Sequence, residues 1–216
     1  MQHMGTQNAT PVFDYRALRL LVGCIAFALP IIVSVVSTTP LSSISASYYT
    51  EARDLFVGLL FFVSAFLWAY NGHTPSEARA SKIASLAAIL VAVFPTSCDT
   101  CNTDLKALIH YGAAFTLFAM LQYFCFGPFR KNTKGQVGKK GLRSKIYFFC
   151  GWVMLACILS AGAAEIMPSG EAAQTLPIKY WAEFVALAAF GVAWIVAGKY
   201  FSPLVEPEEA LHLFRK

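Results

Sequence analysis

The 216-residue chain is 57% hydrophobic and only 13% charged, with a mean hydropathy of +0.56. An ordinary soluble domain carries about 25% charge, because its surface must face water. This composition excludes a soluble enzyme and fits one membrane-embedded helical domain over residues 1–216. The net charge of +5 does not indicate nucleic-acid binding, since the basic residues gather in one connector between apolar segments and have a topological reason to be there.

Crossing about 30 Å of hydrocarbon takes roughly 20 mostly apolar residues. In chain order, six segments meet or approach that length. The first, Leu18 to Ser37, contains Pro30, which predicts a kink that a bundle tolerates. It is too long for the h-region of a signal peptide. The second runs from Ala52 to Tyr70. The third, Ala80 to Phe94, is closed by Pro95 and is the shortest. Its Lys82 must snorkel toward headgroups, and a re-entrant segment is the alternative. The fourth runs from Leu105 to Phe126. The fifth, Ile146 to Ile166, is closed by Pro168, and the sixth runs from Tyr180 to Tyr200. Apolar runs without alternation read as helices rather than barrel strands. The expected fold is therefore all-α, a polytopic six-span bundle. Tyr70, Tyr147, Trp152 and Tyr200 near segment ends fit an interfacial aromatic belt.

Lysine and arginine stay on the cytoplasmic side of short loops. With six spans and both termini inside (N-in/C-in), all of the 17 basic residues except Arg53, Lys106 and Lys179 fall inside. Residues 130–145 form a basic cytoplasmic connector that would lie against anionic headgroups. Acidic residues outnumber basic ones on the outer face.

Asp54, His110, Glu165 and Glu183 fall at or just inside the outer boundary, with Arg53 just before the second segment and Asp99 just beyond the third. Charges at this depth turn toward a bundle interior. Their shared level predicts a polar pocket opening to the outer leaflet, with Tyr48, Tyr49 and Trp181 at its mouth. The plainer alternative is that each group snorkels or caps a helix, as Asp54 near a helix N-terminus would. If the pocket is catalytic, His110 is its acid/base and Asp99 or Glu183 the partner.

Of His3, His73, His110 and His212, only His110 falls at the outer face. That is too few for a membrane zinc hydrolase of the alkaline-ceramidase type. No metal or cofactor is predicted; Asp99, His110 and a glutamate are the one set that could be assembled. Cys98-Asp99-Thr100-Cys101 places a CxxC in an outer connector, where an oxidising compartment favours a Cys98–Cys101 disulfide. A free pair and a catalytic dithiol are the alternatives, the latter lacking the second outer pair that a thiol oxidase relays through. Cys24, Cys125, Cys150 and Cys157 fall within apolar segments as small fillers. No phosphate-binding glycine loop, nucleophile elbow or HExxH occurs. Small residues such as Ala161, Gly162, Gly191 and Gly198 favour close helix contacts, within the chain or in a homo-oligomer.

Three segments carry a resemblance: Ser45 to Gly58 (SASYYTEARDLFVG), Phe94-Pro95-Thr96, and Leu108-Ile109-His110 leading into the fourth segment. In this order they resemble bacterial membrane proteins near the DRAM/FRAG-like six-span group. There a Phe-Pro-Thr closes the third helix and a His opens the fourth. The resemblance implies six spans, both ends in the cytoplasm and residence in the bacterial inner (plasma) membrane. The expected function is binding or processing of a lipid or other amphiphile in the outer-leaflet pocket. The rivals are an enzyme acting on lipid headgroups, a non-catalytic accessory or sensor subunit whose basic connector meets a partner, and a small channel or transporter.

Overall fold

The computed structural model describes residues 15–97, 104–166 and 177–209. Among them are six α-helices and no strand: α1 Tyr15–Val36, α2 Arg53–Ala69, α3 Pro75–Val93, α4 Leu105–Phe126, α5 Gly138–Ile166 and α6 Ile178–Gly198. Short 3₁₀ turns form at Ser45–Tyr49, Ser202–Leu204 and Pro207–Glu209. Helices α1, α4, α5 and α6 are long and apolar enough to cross a membrane, which marks the chain as a helical membrane protein. Helix α2, at 17 residues, rises only about 25 Å. Helix α3 carries Glu77, Arg79 and Lys82 in its first half.

Each helix packs on its neighbours in sequence, and α6 returns to α1, so the six close into a ring. The buried side of α1 is Leu18, Val22, Ala26, Leu29 and Val33, a three-to-four-residue recurrence that defines one helical face. That face meets α6 where two glycines cross. A Cβ on Gly23 would lie 2.7 Å from the Ile195 nitrogen, and one on Gly191 would lie 2.8 Å from the Gly23 carbonyl oxygen. No larger residue fits at either position without moving a helix. The helix continues through Pro30, with the Ser34 hydroxyl donating to the Pro30 carbonyl at 2.6 Å.

Helix α3 starts at Thr74, whose hydroxyl accepts the Glu77 N–H at 3.2 Å, followed by Pro75 at the first helical position. Both are strong helix-start signals. Its buried side is made of small residues, among them Ala80, Ser81, Ala84, Ser85 and Ala88, so it can lie close to α2. Ser81 donates to the Leu67 carbonyl at 2.6 Å, and the Ser64 and Ser85 hydroxyls meet at 3.0 Å. Lys82 bonds the Trp68 carbonyl at the end of α2 and the Asn71 side chain just beyond it.

At the end of the ring that holds Tyr15 and residues 199–209, the interior is solid. Tyr70, Phe124, Phe129, Trp194 and Phe190 pack with centroids 5.4–5.8 Å apart, edge to face except for the tilted Phe124–Phe129 pair. Tyr70 and Tyr147, expected at the interface, are buried in this cluster. The reason is Arg19, a buried guanidinium from α1 that hydrogen-bonds the Tyr70 hydroxyl and the Ala197 carbonyl and lies over the Phe129 ring. Burying Tyr70 gives that charge a partner.

The basic connector is shorter than the sequence predicts. Turns run from Gly127 to Gly135, and α5 already begins at Gly138, so Lys139, Lys140, Arg143 and Lys145 ride on its first turns. Two of them are drawn onto the C-terminal segment rather than onto headgroups. Arg143 is 1% exposed; it donates to the Leu204 carbonyl at 2.9 Å and to Glu209 at 2.7 Å. Lys139 donates its backbone N–H to Glu206 and its ammonium to the Val205 carbonyl. Lys199 and Arg16 also bond Glu209. Residues 199–209 thus strap α1, α5 and α6 together. Burial pushes the Glu209 carboxyl upward, but the hydrogen bonds and charges of Lys199 and Arg143 outweigh it and hold the pKa at about 2.

Candidate functional site

The opposite half of the ring is hollow. A cavity of about 360 Å³ lies among α1, α2, α4, α5, α6 and the Ser42–Ser45 stretch. Its walls follow helical spacing: Tyr111, Ala114, Phe115 and Phe118 from α4; Cys157, Ile158, Ala161 and Gly162 from α5; Lys179, Ala182, Glu183, Ala186 and Leu187 from α6. Leu29, Phe56 and Leu60 complete the deep part. From Lys179 to Leu187 the wall descends about 12 Å, comparable with the roughly 15 Å of one hydrocarbon leaflet.

Polar groups are confined to the rim. Glu183 accepts from the Ser45 backbone N–H at 2.9 Å and from the Ser45 hydroxyl at 3.2 Å, which ties the 37–52 connector to α6. Across the mouth, the Tyr111 hydroxyl bonds the hydroxyls of Ser97 and Thr96, and Tyr49 donates to the Thr96 carbonyl at 2.6 Å. Ser34 and Tyr180 link α1 to α6 at 2.9 Å. Below this level the lining is aliphatic and aromatic. The connector itself is braced by Glu51 against Thr38; its own backbone N–H first, then Thr38, hold the Glu51 pKa below its ordinary value.

On one side the cavity wall is a single side chain thick. Helices α4 and α5 meet near the strapped end, where Gln122 bonds the Gly151 carbonyl at 3.0 Å and Phe126 packs on Phe148 and Trp152. Farther along, the cavity separates them. Phe115 lines it and is also 64% exposed on the bundle surface.

Of the sequence-predicted residues, Glu183 lines this cavity and Tyr49 touches its rim through Thr96. His110 does not line it. Its ring is buried between α4 and the end of α3, with Nδ1 2.7 Å from the Phe94 carbonyl. A proton on Nδ1 satisfies a carbonyl that the end of α3 leaves unpaired; the next residue, Tyr111, takes the cavity-facing position. Tyr48 and Arg53 form a surface pair, the guanidinium 4.4 Å above the ring, and Asp54 is exposed in the first turn of α2. Trp181 is exposed and lines a separate shallow depression with Cys157, Ser160 and Val185. Asp99, Cys98 and Cys101 lie outside the described residues, as does the side chain of Glu165 in the last turn of α5. Cys24, Cys125, Cys150 and Cys157 are free thiols. Among the described residues no group of His, Cys, Asp and Glu could hold a metal ion.

The rim hydroxyls of Ser45, Thr96, Ser97 and Tyr111 are not among the sequence-predicted site residues, because an isolated hydroxyl near the end of an apolar segment carries no charge to mark it. The spacing of Tyr111, Ala114, Phe115 and Phe118 was the available signal for a concave α4 face. No family model matches the chain, and no curated protein or solved structure is significantly similar to it.

Proposed function

We propose that the protein is a six-span receptor or handler of a lipid or other amphiphile in the outer leaflet of a plasma membrane, the inner membrane in a bacterium, with both termini in the cytoplasm. The observation that carries this reading is the cavity's polarity: among the described residues, hydroxyls, the Glu183 carboxylate and the Lys179 ammonium at the rim, apolar walls beneath, about one leaflet deep. An amphiphile has the same order of parts. The solid aromatic end favours a blind binding site over a conducting path.

Six crossings are supported by the outer faces of α2 and α3. Leu55, Phe61 and Phe62 on α2, and Ile83, Leu86, Leu90 and Val93 on α3, are exposed apolar side chains. In water they would form an unfavourable patch; in lipid they are ordinary surface. Lys131 and Lys134 are exposed at the strapped end, which fits a cytoplasmic, anionic-lipid-facing side. Membership of the DRAM/FRAG-like group is part of the same proposal and rests on residues 45–58, 94–96 and 108–110.

Binding is preferred to catalysis because the cavity offers Glu183 without His110 beside it. Thr39→Cys and Val137→Cys, each in a cysteine-replaced chain, test the topology with a membrane-impermeant maleimide on intact cells. Labelling of position 39 alone is expected. Labelling of both, or of 137 alone, overturns the arrangement.

A further inference from the structure

Resting on the amphiphile reading, the chemistry of the ligand can be narrowed. We infer that the cavity takes a single alkyl chain beneath an uncharged head rich in hydroxyl groups, as in a glycerol ester, rather than a phosphate-bearing head.

Volume limits the chain. At about 30 Å³ per water-sized group, 360 Å³ holds roughly a dozen such groups, enough for one chain and not for two side by side. A second chain, where the lipid has one, would leave past Phe115 into the bilayer.

Charge limits the head. Recognition of a phosphate calls for several cationic or strongly donating groups, typically a bidentate arginine. Among the described residues the rim holds no arginine and one lysine, Lys179, which lies one turn from Glu183 on the same face of α6. Their charges offset each other, so the described part of the collar carries no net charge. What remains is hydroxyl chemistry from Ser45, Thr96, Ser97 and Tyr111, which both donates and accepts and matches a head made of hydroxyl groups. A phosphate there would lie near the Glu183 carboxylate with one lysine to offset it.

The test titrates the purified chain in phospholipid nanodiscs with three probes of identical lauroyl chain, whose length matches the cavity volume: monolauroylglycerol, dilauroylglycerol and lauroyl lysophosphatidic acid. Both glycerol esters should bind at least about tenfold more tightly than the phosphate-headed probe, a ratio equivalent to about 1.4 kcal/mol. Ala186→Phe, which fills the cavity from α6, should abolish binding of all three. Gly162→Phe serves as a second filling variant, since Gly162 lines the cavity and a Cβ there meets no atom of the described residues within 4 Å. Lysophosphatidic acid binding as tightly as the esters, yet lost in both variants, overturns the head assignment and leaves the cavity standing. Binding of any probe unchanged in both variants, or no binding by any probe, overturns the cavity as an amphiphile site.

Discussion

Replacing Glu209 with glutamine removes the charge that Arg143 and Lys199 share in the C-terminal strap. Arg143 is almost wholly buried, so the variant leaves a guanidinium facing only neutral acceptors, the Leu204 carbonyl at 2.9 Å and the new amide oxygen, while its Nε has no partner among the described residues. Breaking a fully buried pair costs about 3–5 kcal/mol. Here Glu209 and Lys199 keep 19% and 28% of their side-chain exposure, so water screens part of the effect, and a loss of about 1–3 kcal/mol is expected at neutral pH. The folded carboxyl has a pKa of about 2, below its ordinary 4.5. A lowered carboxylate pKa stabilises the fold above the unfolded value, and that contribution disappears as pH falls through the folded one. The difference between wild type and Glu209→Gln should therefore stay constant from neutral pH down to about 5 and close toward pH 2. Unfolding of the purified chain in detergent across a pH series measures this. A difference under about 0.5 kcal/mol at neutral pH, or one that persists unchanged to pH 2, refutes the strap as an electrostatic brace.

Gly191→Leu should cost about 3 kcal/mol or more, because its side chain must displace the Gly23 backbone; a thermal midpoint equal to wild type contradicts the close α1–α6 crossing. Thr74→Ala should cost about 1 kcal/mol, while Thr74→Ser retains the cap and most of the stability, both read by the same unfolding assay. Phe62→Ser, on the exposed face of α2, should leave stability in detergent within about 0.5 kcal/mol but lower insertion efficiency in membranes; unimpaired insertion argues against a lipid-facing α2.

The helices were legible because hydropathy reports the solvent directly: long unalternating runs at α1, α4, α5 and α6 have few other readings. The start of α5 was not. Gly138 to Lys145 is too polar to register as a span, and its helix is held by Leu204, Glu206 and Glu209 from a segment about 60 residues away. Tyr70 and Tyr147 mimic interfacial residues in sequence, and only the buried Arg19 and the aromatic stack explain their inward turn. At the candidate site, Glu183 stood out as a carboxylate inside an apolar run. His110 stood out equally, yet one residue of helical rotation sends it toward Phe94 and Tyr111 toward the cavity. A linear sequence gives depth along a helix more readily than azimuth around it.

The most direct test of the cavity is native mass spectrometry of the intact chain purified gently from its membrane, compared with Ala186→Phe. One co-purified amphiphile per chain in the wild type, absent from the variant, is the expected result. Equal lipid occupancy of both proteins would mean that the hollow end of the ring binds nothing of its own.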